Sequence, residues 1–202
     1  MSTAQSDNVI TLPATLTFSV RAAVFKALGE FTKNNGNRER LDYIWLAGGA
    51  LYASNGHYAM RYRLDGLPFE AGCAVKPAAK LPAGAESVTV AFNPADPWEP
   101  ATVAVQCKGA GAMQFEAERC GLDFMPMDKL FSDAERADAV PLAEGYAYRA
   151  AYLAFIGKHA DAIQRQTIGI KGAAIWPHVT SASTLFRCAD DNLSFLLMPM
   201  RR

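Results

Sequence analysis

The sequence predicts an α+β protein assembled from a structural unit that recurs about three times along the chain. Three observations indicate this fold class. Apolar residues recur at helical spacing in separate segments, alternation of apolar and polar residues marks several short strands, and strand patterns follow each helical pattern. The unit recurs at roughly 60 residues, as a repeat of pattern and not of letters.

The first unit shows this pattern most clearly. Residues 15–20 alternate as a half-buried strand does, and Val24, Leu28 and Phe31 then fall on one face of an amphipathic helix, together with Val20 and Ala27. Asn55-Gly56 is the strongest short hairpin signal in the chain. Three strands are predicted after the helix, over residues 41–46, 51–54 and 57–64.

The second and third units repeat the order with weaker signals. Residues 74–81 are predicted as a short helix, limited by Pro77 and Pro82. The third unit has a helix that carries Leu153 and Ile156 on its apolar face. Strands are predicted at residues 87–92, 102–107 and 113–118 in the second unit, and at 167–170, 173–176, 185–188 and 194–198 in the third.

These units suggest a division of the chain into domains. The polar stretch 123–137 is interpreted as a connector with some helix. We therefore expect an N-terminal tail over residues 1–13, a full domain of two units over 14–130, a connector over 131–144 and a half domain of one unit over 145–202.

Composition limits the classes of protein that the chain can represent. Half of the 202 residues are hydrophobic, and 20 basic residues balance 20 acidic ones. A neutral balance argues against coating nucleic acid through overall charge, although it permits a basic strip on one face. The polar N-terminus is not a signal peptide, and the longest apolar run, 43–53, is too short to span a membrane. We expect a soluble cytoplasmic protein.

No arrangement of residues in the sequence predicts a catalytic, metal or cofactor site. The four cysteines form no CxxC pair and have no histidine at metal-ligand spacing, which indicates reduced thiols. His57, His159 and His178 are far apart and lack a serine or cysteine motif for a triad. An enzyme on an unrelated mixed fold is therefore the least favoured interpretation.

Four segments carry a resemblance to a known family. The chain ends in an aromatic-aliphatic strand followed by Met-Pro-Met-Arg, which is the most specific of the four. The others are the strand and helix at 18–28, the strand-turn-strand at 52–59 and the Tyr152-Leu153 pair. Together they resemble the bacterial-type DNA sliding clamp, a DNA polymerase III beta subunit-like processivity factor, in a shortened and divergent form.

This resemblance implies a fold and an assembly. The family is built from strand-helix-three-strand modules, two per domain, with antiparallel sheets outside and helices on the inner face. A bacterial clamp chain has six modules, whereas three are counted here. A twelve-module ring would then need four copies, so a homo-oligomer is expected. The reduced length suggests a phage or plasmid origin.

The resemblance also implies two functional surfaces, with double-stranded DNA and a DNA polymerase or clamp loader as partners. Non-specific DNA binding would use outward basic residues of the three helices: Arg21, Lys26, Lys33, Lys76, Lys80, Arg149 and Lys158. The alternative is that these residues simply solvate amphipathic helices.

A C-terminal apolar pocket would take up a short partner motif through Leu196, Leu197, Met198, Pro199, Met200 and Arg201. The alternative for this segment is a buried edge strand with a loose tail. A second functional hypothesis keeps the clamp fold and this pocket but never encircles DNA. Such a protein would act as an adaptor or decoy for clamp-binding proteins.

Overall fold

The computed structural model describes residues 14–36, 38–67, 72–77, 80–121, 126–140, 148–172 and 174–198. This part of the chain forms two antiparallel sheets and three helices, which confirms the predicted α+β class. The helices are α1 (Ala22–Phe31), α2 (Met127–Arg136) and α3 (Ala150–Thr167). The strands are β1 (Leu16–Arg21), β2 (Ile44–Ala47), β3 (Ala50–Ser54), β4 (Tyr58–Arg63), β5 (Cys73–Val75), β6 (Ala85–Phe92), β7 (Ala101–Cys107), β8 (Ala110–Ala117), β9 (Ile175–Val179), β10 (Thr184–Cys188) and β11 (Leu193–Leu197).

The smaller sheet has the order β1-β6-β7-β8 and joins the first strand of unit one to the strands of unit two. Phe18 of β1 lies opposite Val90 of β6, and Val90 lies opposite Val103 of β7. Because side chains alternate along a strand, this register places all three on the same buried face. The alternation of apolar and polar residues in the sequence therefore corresponds to the alternation of buried and more exposed side chains in these strands.

The larger sheet has the order β5-β2-β3-β4-β11-β10-β9 and joins the first unit to the third. Its central junction is the antiparallel pair β4 and β11, in which Met60 lies opposite Phe195 and Tyr58 lies opposite Leu197. Both faces of this sheet are covered, so its middle strands are buried almost continuously and do not alternate with solvent.

The main core lies between the two sheets and the helices α1 and α3. Phe31 at the end of α1 is at its centre, where its ring is 5.1 Å from Tyr58, 5.0 Å from Phe155 and 5.6 Å from Phe195. These contacts connect the first helix to α3 and to the last strand. Side chains distant in sequence therefore share one hydrophobic core.

Helix α2 covers the opposite face of the larger sheet. Its Met127 and Phe131 are buried in a second cluster with Trp45 and Leu196. Phe131 also lies under the guanidinium of Arg61, 4.8 Å from the ring centroid, and Arg61 pairs with Glu135 of the same helix. Its Nε also donates a 3.0 Å hydrogen bond to the Ser194 hydroxyl, so this buried cation is satisfied by a carboxylate, a hydroxyl and an aromatic face.

Several sequence predictions are corrected by these elements. The short helix predicted over 74–81 is wrong: Ala74 and Val75 belong to β5, and none of the described residues between β5 and β6 is helical. The proline ring at Pro77 and again at Pro82 prevents a regular helix there. The strand predicted over 167–170 is also wrong, because α3 runs to Thr167 and residues 168–170 pair with no strand.

Other boundaries shift without changing the architecture. Val20 lies in β1 and not on the first helix, and residues 39–42 form a short 3-10 helix before β2. Helix α2 lies within the stretch 123–137 that was expected to be partly helical, and it runs across the predicted boundary between residues 130 and 131. The division into a full and a half domain stays a prediction. No helix in the described segments is long and apolar enough to span a membrane.

Candidate functional site

The two helices that border the main core run antiparallel and present a basic surface on their outer sides. The side-chain oxygen of Gln166, near the end of α3, accepts a hydrogen bond of 3.0 Å from the backbone N–H of Ala23 at the start of α1. At the other end of the pair, Phe31 packs on Phe155. All seven basic residues predicted to bind DNA are exposed.

The described residues between β5 and β6 pass beside α1 and form no helix. A Cβ atom on Gly29 would lie 3.1 Å from the Cβ of Pro77, so glycine allows the segment to approach the helix closely. The segment leaves two grooves along α1. The first, about 780 Å³, is lined by Lys26, Lys33, Lys76 and Lys80, among others.

The second groove lies between α1, α3 and residues 80–85 and is called the α1–α3 groove below. Its volume is about 770 Å³. Lys26, Lys80, Lys158 and Arg165 line it, with Glu30 as the one acidic residue among the lining side chains. Three of the seven predicted residues are thus brought together here, and Arg165 is a basic neighbour that the sequence reading did not select.

Ion pairing divides the basic residues into two classes. Lys33 pairs with Glu30 at 2.8 Å, and Lys76 pairs with Glu118 at 3.1 Å while its ammonium lies over the Tyr43 ring. In the described part of the chain, Lys26, Lys80 and Lys158 belong to no salt bridge. Their charges therefore remain available to an anion from solution.

Arg21 and Arg149 were predicted on helices but occupy the positions just before them. Arg21 ends β1 and Arg149 precedes α3, each with an extended backbone. The guanidinium of Arg149 lies 5.5 Å from the centroid of the Tyr152 ring. Neither residue lines the two grooves along α1.

The predicted partner segment starts inside the fold and emerges from it. Leu196 and Leu197 are buried on opposite faces of the larger sheet, so they contribute to the two cores and present no surface to a peptide. Met198 is the first exposed residue, and its backbone N–H donates a 3.0 Å hydrogen bond to the carbonyl oxygen of His57. Pro199, Met200 and Arg201 lie outside the described residues.

An aromatic patch that the sequence reading did not assign to the partner site adjoins Met198. The His57 ring stacks on Tyr152 at 5.6 Å, and Tyr152 contacts Tyr58 edge-on at 5.1 Å. Leu153, the next residue of α3, is exposed. The Asn55-Gly56 turn could have indicated this patch, because Gly56 adopts φ +90° and His57 follows it directly before β4.

One histidine is buried beside the basic surface. His159 of α3 packs against the rings of Phe155 and Phe31, and its Nε2 has no hydrogen-bond partner within the described structure. Burial lowers the pKa of His159 to about 4, with the nearby Lys158 acting in the same direction. The ring is therefore neutral at pH 7.

The cysteines behave as core residues. All four are buried, and burial raises the pKa of Cys73 to about 11 and that of Cys188 to about 12. Such thiols are poor nucleophiles at neutral pH. Among the described residues, no group of three histidine, cysteine or acidic side chains could hold a metal ion.

Comparison with known proteins identifies the fold. No protein-family model and no curated protein matches the sequence. The structure of the DNA polymerase III subunit beta from Pseudomonas aeruginosa matches with a TM-score of 0.54 at 15% identity, over 100% of this chain and 71% of that chain. The beta subunit from Thermotoga maritima matches with a TM-score of 0.53 at 12% identity, over 97% of this chain and 69% of that chain. The chain has the fold of a bacterial sliding clamp.

The clamp fold explains how the two surfaces are arranged. The first unit is a complete module, β1-α1-β2-β3-β4, and the third supplies α3 followed by β9, β10 and β11. The second unit keeps its strands, and none of its described residues between β5 and β6 is helical. The basic surface lies on the helix side of the fold, where the two grooves run along α1.

Proposed function

We propose that this chain is a clamp-like DNA-replication accessory protein. It binds duplex DNA non-specifically through the basic surface of α1 and α3, and it binds a polymerase-type partner at the patch around Met198. The observation that carries the proposal is the concentration of unpaired lysines on the helix side of a clamp fold, in a chain with a formal net charge of zero.

The chemistry of the basic surface suits phosphates and not base edges. Lysine ammonium groups attract phosphate oxygens without a directional pattern, and releasing counterions from DNA supplies the affinity. The exposed side of α3 carries small residues beside its cations, including Ala151, Ala154 and Ala162. Small side chains allow a DNA backbone to approach the helix closely, and they insert no group into the major or minor groove of the duplex.

The partner surface combines apolar and aromatic groups at one end of α3. Met198, Leu153 and the stacked pair of His57 and Tyr152 are contributed by three different elements of one chain. A flexible thioether beside flat rings suits a short linear motif with aliphatic or aromatic side chains. Pro199, Met200 and Arg201 extend this surface in the proposal, with a DNA polymerase or clamp loader as the partner.

Self-association belongs to the same proposal. Strands β8 and β9 each end a sheet, and each carries an exposed large side chain, Met113 and Trp176 respectively. Glu116 on β8 and Arg187 beside β9 give these edges opposite charges. An unpaired edge can accept a strand from another copy, so a head-to-tail homo-oligomer is expected.

Two measurements on the full chain test this function. Fluorescence anisotropy with a labelled duplex should show binding that weakens steeply with salt, and Lys26→Gln combined with Lys158→Gln should weaken it further. Lys129→Gln is the matched control, because Lys129 is exposed on α2, on the other side of the larger sheet. If the wild type, the Lys26→Gln/Lys158→Gln variant and Lys129→Gln bind the duplex equally weakly, the assignment of the DNA surface is refuted.

A second candidate function is favoured by one observation. The patch of His57, Tyr152 and Met198 is complete within one chain, so partner binding does not require a closed ring. The chain would then be an adaptor or decoy that occupies clamp-binding proteins. Light scattering distinguishes the two: a closed oligomer of three or four chains supports the ring, whereas a monomer that binds a polymerase-derived peptide and no duplex supports the decoy.

A further inference from the structure

The α1–α3 groove differs from an ordinary charged patch in two ways. It is a concave space of about 770 Å³, and three of its lining lysines belong to no salt bridge among the described residues. Arg165, the other basic residue that lines the groove, pairs with Asp161 of the same helix. The groove therefore keeps an uncompensated positive charge in a confined space.

His159, one of the residues that line this groove, has a buried polar atom without a partner among the described residues. His159 is 6% exposed, and its Nε2 is buried without a hydrogen bond in the described structure. An unpaired buried polar group costs free energy, so such atoms tend to mark sites where a ligand or water completes the hydrogen bonding. A neutral imidazole with its proton on Nε2 offers one N–H donor to an oxygen acceptor.

The origin of the groove explains why it is open. Pro77 and Pro82 interrupt the segment that would form the second helix, and Gly84 follows in a positive-φ turn at +79°. None of the described residues of this segment is helical, and residues 80–85 line the groove together with the flank of α1. Lys80 lies on this segment and faces the same groove as Lys26 and Lys158.

We propose that the α1–α3 groove is a discrete phosphate-binding site, in which Lys26, Lys80, Lys158 and His159 hold one phosphate group in a fixed position. Charge-assisted hydrogen bonds from the ammonium groups neutralise the phosphate, and the histidine N–H contributes a neutral donor. The site deepens the proposed function, on which it rests for the choice of a DNA backbone as the natural source of the phosphate. A free pyrophosphate or nucleotide presents the same chemistry.

When one phosphate is bound in this site, the DNA backbone is held in place. A diffuse basic surface allows the backbone to slide, whereas one phosphate held in a groove fixes its register until that contact breaks. The groove thus places one binding site within a diffuse basic surface.

The test uses the full chain and inorganic pyrophosphate at constant ionic strength, followed by amide and histidine-ring NMR. Wild type should show saturable shifts at the three lysines and at His159 Nε2 with one-to-one stoichiometry. Lys80→Gln should weaken binding about tenfold, as expected for the loss of one charge-assisted contact. Lys129→Gln on α2 should bind as wild type does.

A second variant separates a built site from general attraction. Ala162 is exposed on α3 and lines the groove, so Ala162→Trp fills the space without changing any charge. This variant should lose the saturable shifts while its helical circular dichroism stays unchanged. Equal binding by Ala162→Trp and wild type, or shifts that never saturate, would overturn the proposal.

A parallel titration with a short duplex keeps the two proposals apart. If the duplex binds and pyrophosphate does not, the fixed site is refuted while the DNA-binding function stands. If pyrophosphate binds saturably and the duplex does not, the groove is a phosphate site for free ligands and the replication function is refuted. If Ala162→Trp weakens both ligands, the source of the phosphate is the DNA backbone.

Discussion

Replacing Phe31 by alanine should destabilise the whole chain, because this ring connects the first helix to the third unit. Phe31 is fully buried, and its ring contacts Tyr58, Phe155, His159 and Phe195 at centroid distances of 5.0 to 5.8 Å. Truncating a buried phenylalanine costs about 3–5 kcal/mol from lost transfer free energy and the remaining cavity.

That magnitude is a large share of a typical stability of about 5–15 kcal/mol. For a chain of this size it should lower Tm by roughly 10 °C. Urea unfolding followed by circular dichroism and by the fluorescence of the buried Trp45 gives the free energy of unfolding. Hydrogen exchange should accelerate most in α3 and β11, which lose their shared contact.

Two control variants make the result interpretable. Phe31→Leu keeps most of the volume and should cost less than about 1.5 kcal/mol. Leu130→Ala removes an exposed side chain from α2 and should change stability by less than about 0.5 kcal/mol. If Phe31→Ala costs less than about 1 kcal/mol, or leaves exchange in α3 unchanged, the packing of the third unit against α1 is not as described.

Three further predictions follow from ion pairing and protonation. Lys26→Gln should reduce the slope of log affinity for duplex DNA against log salt by about 0.9, which is the value for one phosphate contact. Lys33→Gln should reduce the slope less, because Glu30 already neutralises Lys33, and equal slopes for the two variants would contradict the ion-pair assignment. The pKa of His159 is about 4 in the folded chain and 6.5 in the unfolded chain, so the unfolded chain binds the proton more readily. The free energy of unfolding should therefore fall by about 3 kcal/mol as pH drops from 6.5 to 4, and His159→Phe should abolish this dependence. Burial would raise the pKa of Glu135, but its hydrogen bond and charge interaction with Arg61 outweigh burial and lower it below 4.5. The resulting stability should be present above pH 4.5 and lost as pH falls through the lowered value, and urea unfolding of Glu135→Gln at several pH values should show a flatter profile.

The local sequence pattern correctly predicted the helices and strands that bury only one face. The helical spacing of Val24, Leu28 and Phe31 is the buried face of α1, and the alternation over residues 87–92 is the burial alternation of β6. These patterns depend on the period of the backbone and on a single buried face, so neighbours in sequence are sufficient to reveal them.

The errors occurred where the sequence signal was short or ambiguous. Residues 74–81 begin with small and apolar side chains that suit either a helix or a buried strand, and pairing with β2 places Cys73–Val75 in a strand. The stretch that contains α2 was interpreted as a connector, because the apolar side chains of α2 form a buried face only against the larger sheet. In each case a distant partner decided between local alternatives.

The sequence alone determined the α+β class, the order of the units, the existence of α1 and α3 and a set of exposed basic residues. Only the tertiary structure decided which lysines keep a free charge, that β4 joins β11, and that His57 and Tyr152 adjoin Met198. The physical reason is the range of the interactions. Helix and strand periods arise between residues a few positions apart. Strand partners, grooves and long-range ion pairs such as Lys76–Glu118 arise between residues separated by tens of positions that meet only in the folded chain.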